Sequence, residues 1–108
     1  MSSTDDLVLI FATAADDGQA EDICTKLLMS NVVARAHYWS GLNWLEKSGL
    51  ELQSGDETGM IFLTRSSLAD RAVEQAKAMG APITVILDIK GGNAPFLQWI
   101  IGRTAHPE

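Results

Sequence analysis

The amino-acid sequence predicts an α+β domain whose elements follow the order strand, helix, long β-hairpin, helix, strand, helix. Three observations lead to this prediction. An apolar run near the N-terminus precedes a segment with helical spacing, the middle third is rich in strand-forming residues, and two further helical segments flank a last apolar run. With 108 residues, of which 46% are hydrophobic and 20% charged, the chain fits one globular domain over residues 1–108.

The first strand and helix are predicted from a change in the spacing of apolar residues, from a continuous run to helical spacing. Leu7–Thr13 is apolar, rich in strand-forming residues and bounded by polar residues, which is typical of a buried strand. A helix follows from about Asp17 to Ser30, because Asp16 and Asp17 suit its N-terminal end. Its apolar residues recur at helical spacing: Ala20, Ile23, Cys24, Leu27 and Leu28.

The segment from Val32 to Thr64 is predicted to form a long β-hairpin, because aromatic and β-branched residues dominate it and no helical period persists. Two turns fit the pattern: Lys47-Ser48-Gly49 and Ser54-Gly55-Asp56. Both contain a glycine that can adopt a positive φ. The sequence leaves both turns open.

A second helix and a short strand follow the hairpin. Ser66 or Ser67 is predicted to cap the helix, and Gly80 to end it. The inner stripe of this helix is mostly alanine, so we expect it to lie close to the sheet. The apolar run Ile83–Ile89 then predicts the last strand.

A final helix is predicted over Pro95–Arg103, with Asn93 or Ala94 as its cap and Pro95 in its first turn. The Gly91-Gly92-Asn93 segment before it has neither the Walker spacing nor the dinucleotide-binding spacing of glycines, so we interpret it as a turn. The complete order is the β-α-β-β-α-β arrangement of ferredoxin-like folds with one extra C-terminal helix.

Charge and cysteine content exclude several classes of function. The net charge is −6, and the eight Lys and Arg residues are scattered, which argues against a nucleic-acid partner. Cys24 is the single cysteine and lies on the apolar stripe of the first helix, so it is predicted to be a buried structural thiol. No catalytic residue is predicted.

The start Met-Ser-Ser-Thr-Asp-Asp lacks the features of a secretory signal, and no apolar run could span a membrane, so we expect a cytoplasmic protein.

Two stretches carry a resemblance to a known family. The first is Thr13-Ala14-Ala15-Asp16, which leads into the first helix and on to Val32-Val33-Ala34. The second is Gly92-Asn93-Ala94-Pro95-Phe96-Leu97-Gln98-Trp99-Ile100 with Thr104. Together they resemble the opening and the Gly-Asn-x-x-Tyr-Leu-x-Trp-Ile ending of the CutA divalent-cation-tolerance proteins, in the PII-like superfamily. The resemblance covers nearly the whole chain.

The resemblance implies a ferredoxin-like subunit that forms a homotrimer by pairing long hairpin strands between neighbours. Such a ring would cover strand edges that otherwise invite aggregation. It also implies a role in divalent cation tolerance, the response to metal ions, and possible binding of copper.

This chain departs from the family pattern where metal ligands are expected. The family's His-Pro-Tyr-Glu-x-Pro motif corresponds here to residues 77–82, of which only Pro82 is kept. The family cysteine falls on Arg35 and the asparagine two places later falls on His37. Because a cationic side chain repels metal ions, the family-typical copper site is predicted to be altered or lost.

Arg35, His37 and Trp39 form the most unusual local cluster, and strand alternation places them on one face. With Tyr38 beside them, they are the candidate residues of a ligand-binding site between subunits, in which Arg35 would hold an anion and Trp39 would stack on a ring. The alternative is a packing patch between subunits.

His37 is also the candidate metal ligand. Its partners would be Glu51, Asp56 or Glu57, from the opposite hairpin arm or from a neighbouring subunit. His106, in the C-terminal tail, is assigned no role.

The sequence therefore supports a non-enzymatic, CutA-like trimeric protein as the first hypothesis. The alternative is a regulatory small-ligand-binding protein like the PII proteins, which bind ligands in clefts between subunits. PII-like proteins signal through a long mobile loop between the middle strands, and residues 47–57 are too few to form one, which favours the first hypothesis.

Overall fold

The computed structural model describes residues 6–104 and confirms the predicted order of elements. The sheet is antiparallel throughout, with the strand order β2-β3-β1-β4 of a ferredoxin-like fold. The elements are β1 Leu7–Ala14, α1 Asp17–Met29, β2 Arg35–Ser48, β3 Glu51–Arg65, α2 Ser66–Ala78, β4 Thr84–Asp88 and α3 Ala94–Arg103.

The hydrophobic core lies between one face of the sheet and helices α1 and α2. The sheet contributes alternate residues of its strands, as the two-residue period of a half-buried strand requires. The small alanines of α2 allow this helix to approach the sheet closely. The main core residues are Val8, Ile10, Met60 and Phe62 from the sheet, Ala20, Ile23 and Leu27 from α1, and Ala69, Ala72 and Ala76 from α2.

The ends of α1 and α3 follow the predicted capping chemistry. The Asp16 side chain accepts a hydrogen bond from the Gln19 amide at 2.8 Å, and the Asn93 side chain accepts one from the Phe96 amide at 2.9 Å. After α1, Asn31 adopts a φ of 61°, the left-handed conformation that often ends helices.

The predicted cap of α2 is wrong. Neither Ser66 nor Ser67 occupies the N-cap position, which belongs to Arg65, and no side-chain hydrogen bond caps this end. The reason is that β3 runs directly into α2. The Ser66 amide donates instead to the main-chain carbonyl of Asp6, at 2.6 Å, just before the neighbouring strand β1.

The hairpin turn is the first of the two predicted alternatives. Ser48 pairs with Glu51, and Gly49 and Leu50 form a two-residue turn in which Gly49 has a φ of +65°. Glycine is favoured at this first turn position because a side chain would be strained there. Gly55 lies inside β3 and makes no turn.

The outer half of the hairpin extends beyond the rest of the sheet. Pairing between β1 and β3 ends at Thr58, so residues 42–57 pair only with each other. A bulge between Trp39 and Leu42 separates this distal arm from the four-stranded part. The molecule is consequently 50 Å long but only 26 × 23 Å across. An isolated two-stranded ribbon is marginally stable in water, so the arm is a natural place for a partner to bind.

The face of the sheet opposite α1 and α2 is apolar and incompletely covered. We call it the open face. Its residues are half-buried on the inner strands and exposed on β4, where Val85 and Leu87 retain 46% and 53% of their accessible surface. From the strand register, the open face comprises Leu9 and Phe11, Ile61 and Leu63, Val85 and Leu87, and on β2 Arg35, His37 and Trp39.

Candidate ligand-binding surface

Arg35, His37 and Trp39 lie side by side along β2 at one edge of the open face. They pair in order with Leu63, Ile61 and Gly59 of β3, which places all three side chains on the same side of the sheet. All three are exposed in the single chain. Strand alternation therefore predicted their common face, whereas Tyr38 points to the helix side.

Trp39 lies flat over a glycine on the neighbouring strand. A Cβ atom added at Gly59 would overlap the Trp39 ring. Trp44 makes the same arrangement with Gly55, where an added Cβ would come within 2.7 Å of the ring. These glycines are needed because each leaves room for an indole ring, and the two pairs stand on either side of the bulge.

Replacing Gly59 by alanine should therefore displace the Trp39 ring. We expect a loss of about 1 kcal/mol in the free energy of unfolding, the low end of the about 1–3 kcal/mol that overpacking costs, because Trp39 is exposed and its ring can move towards solvent. The emission of Trp39 should also change, measured with Trp44 and Trp99 replaced by phenylalanine.

The matched control for this substitution is Gly91→Ala, since a Cβ at Gly91 would meet no atom within 4 Å. Equal stability of the Gly59→Ala and Gly91→Ala variants would show that the ring does not rest on Gly59.

The charges of this surface are unbalanced within one chain. Over residues 6–104, neither Arg35 nor His37 makes a side-chain hydrogen bond or an ion pair. Their neighbours across the sheet are apolar: Leu63 and Ile61 on β3, and then Leu9 and Phe11 on β1. The surface can thus receive a carboxylate or another anion from outside the chain.

The register separates His37 from its predicted carboxylate partners. Glu57 is four positions along β3 from the residue opposite His37, a separation of about 13 Å at the usual rise per residue. Glu51 lies farther away, near the turn, and Asp56 points to the other side of the ribbon. No group of three His, Cys, Asp or Glu residues in positions 6–104 could hold a metal ion. Residues 6–104 of one chain therefore do not bring three such ligands together at His37, and His106 lies outside the described residues.

An acidic cleft that the sequence did not reveal lies beside the bulge. Asp16 and Asp17 at the start of α1 line this cleft together with Asp56 and Glu57 of β3. The Thr58 hydroxyl donates to the Asp17 carboxylate at 2.7 Å and the Asp16 side chain caps α1, so two of the four acids have a structural role. Only the β-pairing brings these segments together.

A buried arginine anchors the C-terminal helix. Arg65 is 4% exposed; its Nε donates to the Thr104 hydroxyl at 2.8 Å and its guanidinium donates to the Ile101 carbonyl at 2.5 Å. The Thr104 hydroxyl in turn lies 3.1 Å from the Ile100 carbonyl. The family-like signature contained Thr104, but nothing in the sequence pattern indicated Arg65 as its partner.

A partly buried side of α3 carries an aromatic pair next to a cationic residue. Phe96 and Trp99 stack with ring centroids 5.7 Å apart, and the Arg103 guanidinium lies 5.4 Å from the centre of the Trp99 ring. Phe96 and Trp99 are half-buried, and Ile100 is fully buried.

Cys24 is buried, as predicted, and burial raises the pKa of its thiol to about 11. Because the thiolate is the reactive form, the native protein should react with a thiol reagent at about pH 8 far more slowly than the unfolded chain. The unfolded thiol, with its ordinary pKa of 9.0, loses its proton first, so this group should lower stability as pH rises from 9 towards 11. Equal reaction rates with Ellman's reagent in the native and the urea-unfolded protein would contradict this expectation.

Comparison with known proteins identifies relatives along nearly the whole chain. The family model of the CutA1 divalent ion tolerance protein matches residues 8–103. A rice protein, "Protein CutA 1, chloroplastic", is 26% identical over 95% of this chain, and the chain spans only 60% of that protein's length.

Solved structures agree on the fold. The CutA1 crystal structure from Ehrlichia chaffeensis is 22% identical, with a TM-score of 0.85, and covers 95% of this chain and 99% of its own. The periplasmic divalent cation tolerance protein CutA from Archaeoglobus fulgidus is 25% identical, with a TM-score of 0.78, over 90% of this chain and 97% of its own. In residues 6–104, no helix is long and apolar enough to cross a membrane. With the family match covering most of its residues, this chain belongs to the CutA1 divalent ion tolerance family.

Proposed function

We propose that this chain is the subunit of a non-enzymatic, cytoplasmic homotrimer that serves tolerance of divalent cations. The observation that carries the proposal is the CutA1 family match over residues 8–103. The single cysteine, buried and unpaired, suits a reducing compartment. Relatives named chloroplastic and periplasmic indicate that location varies within this group.

The open face supports assembly through the sheet. Large apolar surfaces left uncovered on one side of a sheet are typical of subunit interfaces. Val85 and Leu87 extend this surface to the β4 edge, and the distal arm projects from the opposite edge. A closed ring would cover both edges.

Within the trimer, Arg35, His37 and Trp39 would lie at the boundary between subunits as the ligand-binding surface, and Arg35 would hold an anionic group there rather than the cation. The ligand we propose is a divalent cation, with copper as the first candidate, bound through the His37 imidazole. Since one chain lacks a complete set of donors over residues 6–104, the remaining ligands would come from carboxylates of a neighbouring subunit.

Calorimetric titration of the purified protein with copper and zinc tests this proposal, after light scattering has measured its mass. We expect a mass near three times the 11.7 kDa of one chain and saturable copper binding. A His37→Ala variant should lose that binding, and its mass at the titration concentration shows whether the loss comes from the missing imidazole or from dissociation. Unchanged binding in the variant would remove His37 as a ligand, and no binding by the wild type would overturn cation binding altogether.

The PII-like alternative is not favoured. The connection between β2 and β3 is a two-residue turn, so the long signalling loop of PII proteins is missing between these strands. A panel of nucleotides in the same calorimeter would test this alternative.

A further inference from the structure

The hairpin carries opposite charges at its two ends on one side of the sheet. We call the start of β2, at the end of the hairpin away from its turn, the base. There Arg35 and His37 lie on the open face without an acidic neighbour among the described residues. On the distal arm, the residues on the continuation of that face include Glu46, Glu51 and Glu57. The base is therefore basic and the arm acidic on the same side.

The register supports this assignment of faces. Directly opposed residues share a face, and Trp39 with Gly59 and Trp44 with Gly55 both stack on the same side. Glu57 is two positions from Gly59, and Glu51 pairs with Ser48, which is two positions from Glu46. The bulge inserts its extra residue in β2 and restores the alternation at Leu42.

These charges cannot neutralise one another inside one chain. About 13 Å separates the position of His37 from that of Glu57, and the other two glutamates lie farther along the arm. Over residues 6–104, the three glutamates make no side-chain hydrogen bond or ion pair. A second copy of the chain is the partner whose charges match both ends at once.

We infer that the acidic arm of each subunit lies over the basic base of β2 in the next subunit, with Arg35 and His37 facing Glu46, Glu51 and Glu57 of the neighbour. This arrangement is head-to-tail and closes into a ring under threefold rotation. It rests on the proposed homotrimer and adds the residues that set its register. It also names the carboxylates that would accompany His37 in a cation site.

Charge reversal with rescue tests this inference by sedimentation analysis of the trimer–monomer equilibrium. Arg35→Glu alone, and the arm variant with Glu46→Lys, Glu51→Lys and Glu57→Lys, should each raise the concentration of half-dissociation by at least about tenfold, because like charges would then oppose each other. The variant that combines all four substitutions should return to within about threefold of the wild type.

Matched controls are Arg71→Glu and Glu74→Lys, which change the same charges on the exposed surface of α2 and should leave the equilibrium unchanged. Neutral variants, Arg35→Gln and the three arm Glu→Gln changes, guard against misfolding of the reversed proteins. The wild-type equilibrium should weaken with salt, and both neutral variants should lose that salt dependence.

Two results would overturn the inference in different ways. Suppose that the wild type is a trimer, but that the concentration of half-dissociation of the combined variant is raised by the product of the two parent effects. That result would refute the contact between arm and base without refuting the trimer. A wild-type protein that remains monomeric at micromolar concentration would refute the proposed trimer itself, and the contact with it.

Discussion

Replacing Arg65 by alanine should lower the free energy of unfolding by about 3 kcal/mol, because a buried charged donor leaves its partners unsatisfied when it is removed. Two of its partners are the Thr104 hydroxyl and the Ile101 carbonyl, both at the C-terminal end of α3. The loss should appear first at this helix, since the guanidinium is its hydrogen-bonded link to the end of β3.

Chemical denaturation at one fixed protein concentration measures this effect, with hydrogen exchange of the α3 amides as a local readout. The control is Arg71→Ala, an exposed arginine on α2, which should change stability by less than about 0.5 kcal/mol. Equal effects of the two substitutions, or α3 amides that stay protected in Arg65→Ala, would show that Arg65 does not anchor the helix.

Introducing a carboxylate on the open face should abolish the proposed trimer. Val85→Glu would place an unpaired charge in the proposed interface, at a cost of several kcal/mol per subunit. The neighbouring Ile86 is the matched control: it is exposed to a similar extent, 42% against 46%, but faces the helix side of the sheet.

We expect Val85→Glu to sediment as a folded monomer at about 10 μM, where Ile86→Glu should remain trimeric. Circular dichroism will establish that the Val85→Glu monomer keeps its secondary structure. If both variants stay trimeric, the subunits do not associate through the open face. If both variants dissociate, the subunits associate through the edge of β4 rather than through the open face.

The order of the elements was predictable from sequence because it depends on local periodicity. The apolar residues of α1 recur at helical spacing, and Asn93 lies just before α3 as its cap. Both helices were therefore indicated by residues within or next to them. The alternation along β2 likewise predicted that Arg35, His37 and Trp39 share a face.

Features that depend on contacts across the sheet could not be predicted. Two glycines suggested two possible turns, but only Gly49 has the positive φ of a turn; Gly55 is needed to make room for Trp44. The prediction that Ser66 or Ser67 caps α2 was wrong because the Ser66 amide donates to the main-chain carbonyl of Asp6, which is distant in sequence.

The candidate site was predictable only in part for the same reason. The sequence pattern put His37 and the hairpin carboxylates on opposite arms, but the distance between them depends on the pairing register of β2 with β3. Arg65 gave no signal, since a cationic residue at the end of a strand is usually solvated.

The incompletely covered sheet also affects how the protein is produced. If the proposed trimer forms, a newly synthesised subunit exposes apolar strands until it meets two others, and during that time it can aggregate with other unfolded chains. Assembly and aggregation both accelerate with concentration, so the recovery of native protein after dilution from denaturant should pass through a maximum. Yield should fall on either side of it, to unassembled subunits in dilute solution and to precipitate in concentrated solution.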